Sequence, residues 1–125
     1  MTYALIIAGA AVGAPLRYFL QGRVQEATGP GFPYGTLVVN LTGCFVIGLL
    51  ATLAEERGLL GRDARILLLV GFLGSYTTFS TFGWETLELL RDNEVLRASF
   101  NVTASSVGGI VAAWLGTLLA RVVYA

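Results

Sequence analysis

The residues best suited to chemistry lie in one stretch, 71–83, which reads GFLGSYTTFSTFG. Two phenylalanines three residues apart, Phe79 and Phe82, share a helix face, and Ser80 and Thr81 lie between them. The edge of an aromatic ring is electropositive, so rings turned edge-on to a path attract anions, and hydroxyl groups donate hydrogen bonds to them. Ordinary helix packing is the alternative role for the same rings.

The glycines and hydroxyl residues of this stretch also predict a break in the helix that contains it. Gly71, Gly74 and the neighbouring serine and threonines make a continuous lipid-facing helix implausible. A break frees backbone carbonyls, which membranes tolerate only inside protein or beside water. Broken helices of this kind are common at ion sites.

Arg17 is the only charge in the first apolar segment, and it lies on one helix face with Gly9 and Gly13. The two glycines predict close contact with another helix. The arginine itself has two interpretations. It either anchors the helix at the membrane interface or places a fixed positive charge at a vestibule, where it raises the local concentration of anions.

Two further polar positions lie within apolar helices. Asn40 occupies the middle of the second segment, on a small and polar stripe, and its amide offers two donors that lipid does not satisfy. It either joins helices or lines a pore. On the fourth segment, Asn101 and Ser105 share an arc with Gly108 and Ala112. That arc indicates either a helix-packing seam or a hydrogen-bonding track.

These residues are positioned by four apolar segments, at about 3–20, 35–54, 66–84 and 98–120. Each is long enough to cross a bilayer core of about 30 Å as a helix. Of the 125 residues, 55% are apolar and only 13% are charged, which is too few charges for the exterior of a small water-soluble domain. The sequence therefore predicts an all-α membrane protein of four transmembrane helices, with residues 1–125 forming a single domain in the lipid bilayer.

Composition excludes several classes of function. The net charge is zero, so a nucleic-acid partner is not expected. A single cysteine, Cys44, excludes a disulfide framework or thiolate zinc cluster within one chain, and there is no histidine. No nucleophile can be combined with a base, so the chain is predicted not to be an enzyme.

The arginines divide almost evenly between the two membrane faces that four spans define. One face carries Arg57, Arg62, Arg65 and Arg121, and the other carries Arg23, Arg91 and Arg97, with Arg17 near it. Cytoplasmic loops normally carry the excess of positive charge, and this distribution hardly favours either orientation. Insertion in both orientations is one expectation, and orientation by a small remaining bias is the other.

The motifs of three segments together resemble the Fluc (CrcB) family of fluoride channels. They are GAPLR at 13–17, GTLVVN at 35–40, and GFLG at 71–74 leading into TTFSTF at 77–82. The resemblance covers all four spans. It implies a dual-topology antiparallel homodimer with a broken third helix, which lets fluoride leave the cytoplasm passively through the inner membrane of a prokaryote.

The resemblance also implies roles for particular residues. Asn40 would donate to fluoride, Phe79 and Phe82 would supply ring edges, Arg17 would stand at the vestibule, and a polar track would contain Ser80, Thr81 and Ser105. The carbonyls of Gly74 and Thr77 from both subunits would hold a structural sodium ion that is not transported. One departure is Asn101, because the family often has tyrosine four residues before the serine of the fourth helix.

Two rival functions belong to other classes. A proton-coupled transporter of the small multidrug-resistance type also has four short helices in an antiparallel dimer, but it requires a carboxylate inside the membrane. None of the four segments contains Asp or Glu before Glu85, which lies at the interface. A purely structural membrane subunit would not explain a hydroxyl-rich break flanked by two rings.

Overall fold

The structure is a computed structural model that describes residues 1–125. It contains helices and no strands: α1 (Thr2–Thr28), α2 (Tyr34–Glu55), α3 (Arg62–Arg65), a π-helical segment (Ile66–Leu73), α4 (Gly74–Tyr76), α5 (Phe79–Arg91) and α6 (Val95–Val123). The helices α1, α2 and α6, and the run from α3 to α5, are long and apolar enough to cross a membrane. The prediction of an all-α protein with four spans is confirmed.

The loop between α1 and α2 is held by one side chain, Gln25. Its amide nitrogen donates to the carbonyls of Gly29 and Phe32 at 2.6 and 2.9 Å, and its amide oxygen accepts from the N–H of Gly35 at 3.1 Å. Gly29 ends α1 with a φ of 85°, a left-handed conformation that glycine adopts without strain. These three hydrogen bonds hold the loop against the first turn of α2.

The helices α2 and α6 pack at close range through glycine. A Cβ at Gly48 would clash with the backbone carbonyl of Ala113, and a Cβ at Gly116 would clash with that of Phe45. Ala120 is fully buried one turn further along α6. In lipid, helix association depends on close van der Waals packing rather than on a hydrophobic driving force, so small residues at the contact bring the helices together.

The helix α1 packs on the π-helical segment by the same means. A Cβ at Gly9 would meet the backbone of Leu67 and Phe72, and one at Gly13 would meet the carbonyl of Phe72. Gly71 faces α1 from the other side. The predicted contact role of Gly9 and Gly13 is confirmed, whereas the π-helical geometry of the partner segment was not predicted.

Only 21 of the 125 residues are buried, and many of the exposed side chains are large and apolar. Large side chains project outward from every span, including Ile110 on α6 and Phe79 on α5. Such a surface is too extensive for a water-exposed monomer. It fits a chain that lipid or another protein surrounds.

Gly116→Ala tests the contact between α2 and α6. Although alanine is the better helix former, we expect a loss of about 1–3 kcal/mol in unfolding free energy, because the added methyl group overpacks a backbone contact. Gly22→Ala is the matched control, since nothing lies within 4 Å of the Cβ it adds. Thermal unfolding in detergent measures both variants. Equal stability of the two would contradict the proposed contact.

Candidate functional site

Helical geometry is interrupted between α4 and α5, within the predicted hydroxyl-rich stretch. Thr77 has φ/ψ of −87°/159° and Thr78 has −149°/115°, so both are extended. Thr78 then caps α5, because its hydroxyl oxygen accepts from the N–H of Thr81 at 3.3 Å. Its hydroxyl group also donates to the Thr81 oxygen at 3.0 Å.

Asn40 pairs with the backbone at this interruption. The N–H of Thr78 donates to the Asn40 amide oxygen at 2.8 Å, and the Asn40 amide nitrogen donates to the Thr78 carbonyl at 2.9 Å. In a continuous helix that N–H would bind the carbonyl of Gly74. It is therefore diverted from Gly74, and the carbonyl of Thr77 accepts no hydrogen bond from the chain. One N–H of the Asn40 amide remains available.

A cavity of about 390 Å³ lies beside the interruption, between α2, the third span and α6. Six of the predicted site residues line it: Asn40, Gly74, Thr77, Phe79, Phe82 and Ser105. They come from three spans that are distant in sequence. The structure thus brings the amide, one hydroxyl, both rings and both proposed sodium ligands around one space.

The two phenylalanine rings lie close together at the rim of this cavity. The ring centroids of Phe79 and Phe82 are 5.6 Å apart with planes inclined by 48°. Phe82 is half-buried, whereas Phe79 is 83% exposed and projects beyond the chain. Both rings line the cavity, so both present part of their surface to whatever occupies it.

Ser105 carries the single buried side-chain oxygen or nitrogen atom that has no hydrogen-bond partner. Leaving a buried hydroxyl unpaired costs about 1–3 kcal/mol, and such groups are rare in native proteins. Ser105 lines the cavity, its Oγ is buried, and the hydroxyl makes no hydrogen bond within the chain. The role of Ser105 in binding an ion remains a prediction.

Three predicted residues lie outside this cavity. Ser80 is exposed, and Thr81 is half-buried with its hydroxyl oxygen accepting from Thr78. Arg17 is half-buried on α1 and forms no ion pair within the chain. None of the three lines the cavity, and their roles remain predictions.

Sequence reasoning missed two contacts that shape the interruption. The hydroxyl groups of Thr42 and Tyr76 are 2.8 Å apart, which ties α2 to α4. A Cβ at Gly43 would clash with the side chain of Thr77, so glycine lets α2 approach the extended residues. The position of Gly43 near Asn40 was the only signal in the sequence.

A second missed feature is the hydrogen bonding of the Glu85 carboxylate. The hydroxyl of Thr36 donates to it, and the amide of Gln21 donates to the Thr36 oxygen at 3.0 Å. Glu85 borders a separate surface groove of about 730 Å³ together with Glu88 and not the cavity beside Asn40. The interior of the site thus contains no carboxylate.

A family profile described as "CrcB-like protein, Camphor Resistance (CrcB)" matches residues 4–117. The chain belongs to the CrcB family. Relatives of this CrcB protein named "Fluoride-specific ion channel FluC" include one from Geobacter metallireducens, 45% identical over 97% of this chain and 98% of its own. Another is from Solibacter usitatus, 46% identical over 97% of this chain and 99% of its own. The resemblance inferred from the motifs is confirmed.

The hydrogen bonds between Asn40 and the Thr78 backbone predict that losing the amide lowers the stability of the protein more than a change in side-chain volume does. Asn40→Leu has a similar size but leaves the N–H and carbonyl of Thr78 unpaired, which costs about 1–3 kcal/mol for each group. We expect Asn40→Asp to lose less at acid pH, where the neutral carboxylic acid keeps both an acceptor and a donor. Cys44→Ala, at the same cavity and without a hydrogen bond to lose, is the control. Equal melting temperatures for Asn40→Leu and Cys44→Ala would argue against the pairing.

Proposed function

We propose that this CrcB protein is a fluoride-specific channel through which fluoride leaves the cytoplasm passively. The observation that carries the proposal is the cavity beside the interruption, which is lined by Asn40 with one free N–H, by Ser105 with an unpartnered hydroxyl and by two aromatic rings. Relatives of similar length that bear the name of a fluoride-specific ion channel support the choice of ion. A channel makes and breaks no covalent bonds, so the protein is not an enzyme.

The chemistry of the cavity suits a small anion. Fluoride leaves its hydration shell only where hydrogen-bond donors replace the water, and an amide N–H and a hydroxyl are such donors. The electropositive edges of Phe79 and Phe82 add attraction without forming a bond strong enough to trap the ion. Arg17, which has no partner carboxylate, would raise the anion concentration near one end of the path.

A proton-coupled transporter is disfavoured by the same site. It requires a carboxylate that exchanges a proton for a cation within the membrane. The nearest candidate, Glu85, accepts from Thr36 and lies outside the cavity.

We also propose that Thr77 and Thr78 form the break predicted in the third span, and that two chains assemble as an antiparallel homodimer. The cavity opens at the chain surface, where Gly74 and Phe79 are exposed. A second copy would cover these groups and enclose the path. The balanced arginines favour insertion in both orientations. The chain is a multi-pass membrane protein, and the bacterial relatives favour the inner membrane of a prokaryote.

The carbonyls at the break fit the proposed structural sodium ion. Oxygen ligands are those that hard cations prefer, and both Gly74 and Thr77 border the cavity with carbonyls diverted from helical bonding. One chain supplies too few of them for a complete shell. Two copies related by symmetry would double the set, so Gly74 and Thr77 of both subunits would hold the ion.

Fluoride efflux from liposomes tests the function, with chloride as the comparison ion. We expect fluoride to pass and chloride to be retained. Phe79→Ile and Phe82→Ile keep apolar bulk but lose the ring edge, so each should reduce efflux by at least about tenfold while the protein still folds. Phe45→Ile, a ring that does not line the cavity, is the control. Parental efflux from both cavity variants would assign the rings to packing.

Single-cysteine labelling in cells tests the dual topology. A cysteine placed in the loop after α2 should react from both sides of the membrane in about equal amounts, because the arginine count favours neither orientation. Cross-linking of the purified protein should give dimers that retain transport. Labelling from one side alone would eliminate the antiparallel dimer.

Sodium removal tests the structural ion. Proteoliposomes exchanged fully into potassium salts should lose efflux and recover it when sodium returns, because potassium is too large for a site built around sodium. Radioactive sodium should not move with fluoride. Unchanged efflux after complete exchange would remove sodium from the proposal.

A further inference from the structure

Asn101 is buried between α5 and α6, next to the cavity but outside it. Its side chain is only 2% exposed, and its amide nitrogen donates to the hydroxyl oxygen of Thr86 at 2.9 Å. The Thr86 hydroxyl in turn donates to the backbone carbonyl of Phe82 at 2.8 Å. A chain of hydrogen bonds therefore runs from α6 to the backbone of a ring residue that lines the cavity.

Two residues of α6 lie opposite two residues of α5, in pairs one helical turn apart. Ser105 lies one turn after Asn101 on α6, and Phe82 lies one turn before Thr86 on α5. Residues four apart lie on the same helix face. Because α5 and α6 run in opposite directions, the Asn101–Thr86 hydrogen bond places Ser105 at the level of Phe82.

We propose that Asn101 is a positioning residue for conduction, which sets the register of α6 on α5 and thereby aligns the Ser105 hydroxyl with the Phe82 ring. The glycine contacts hold α6 on α2, whereas α5 contacts α6 much less extensively, so a buried polar pair can define the register of α5 on α6. A shift of α5 by one turn, about 5.4 Å, would take the Phe82 ring away from the level of Ser105. The proposal rests on the proposed fluoride function.

This role differs from that of a residue in the permeation path. Asn101 does not line the cavity, and the N–H that reaches Thr86 is not available to an ion. Its effect on transport should therefore depend on Ser105.

The experiment measures initial fluoride efflux in a double-mutant cycle. Asn101→Leu and Thr86→Val each remove the hydrogen bond with little change in size, and we expect each to reduce efflux by about tenfold. Thr86→Ser keeps the hydroxyl and should conduct like the parent. In a Ser105→Ala background, Asn101→Leu should change the remaining efflux by less than about twofold, because the group it positions is absent.

Thr117→Val is the matched control on the same helix. It removes a hydroxyl that accepts from Thr52 on α2 at 3.1 Å, far along α6 from Ser105, and should leave efflux unchanged. Elution in detergent and thermal unfolding show which variants fold. If Asn101→Leu does not fold, the milder Thr86→Val takes its place in the cycle with Ser105→Ala.

The outcomes separate the two proposals. A parent protein that conducts no fluoride overturns the proposed function and this inference with it. A conducting parent in which the losses from Asn101→Leu and Ser105→Ala multiply overturns the inference alone, since Asn101 would then act independently of Ser105. A Thr86→Ser variant as impaired as Thr86→Val would also overturn it.

Discussion

The structure depends on the requirement that a backbone in lipid satisfies its own polar groups. An interruption at membrane depth leaves N–H and carbonyl groups that water cannot reach, at a cost of several kcal/mol for each group. The Asn40 side chain meets this requirement at Thr78, where its amide replaces both of the lost helical hydrogen bonds. A side chain from α2 thus permits extended backbone in the third span, where the carbonyl of Thr77 accepts no hydrogen bond from the chain.

Close packing supports this arrangement from both sides. Gly43 lets α2 approach Thr77, and Gly9 and Gly13 let α1 lie on the π-helical segment before it. Glycine normally destabilises a helix by about 1 kcal/mol relative to alanine. Its presence at these contacts shows that approach between backbones, more than intrinsic helix preference, determines how the spans are arranged. The interruption is therefore held by neighbouring helices that glycine lets approach closely.

The polar groups around the cavity differ in whether they have hydrogen-bond partners within the chain. The extended residues are paired with Asn40 and with the Thr78 cap, and the Ser105 hydroxyl has no partner. In a membrane interior of low dielectric constant, a hydrogen-bond donor without a partner attracts an anion more strongly than it would in water. The carboxylate that would oppose an anion, Glu85, is engaged with Thr36 outside the cavity.

Much of the fold followed from local sequence. Four apolar segments of sufficient length leave helices as the only structure that bilayers accept from a chain this short, and the glycines of α1 marked a contact face. The candidate residues Asn40, Phe79, Phe82 and Ser105 were also recognisable, because polar and aromatic groups stand out in apolar helices. The family motifs connect these residues to fluoride through sequence alone.

Only the tertiary structure decided how these residues are partnered. Sequence spacing put Thr81 beside the rings, but its hydroxyl is used by the cap of α5, since Thr78 lies three residues before it. The pairing of Asn40 with Thr78 and of Asn101 with Thr86 joins residues on different helices. Periodicity reports which face of a helix a residue occupies. It does not report which helix lies opposite or at what level, because that depends on the packing of whole spans.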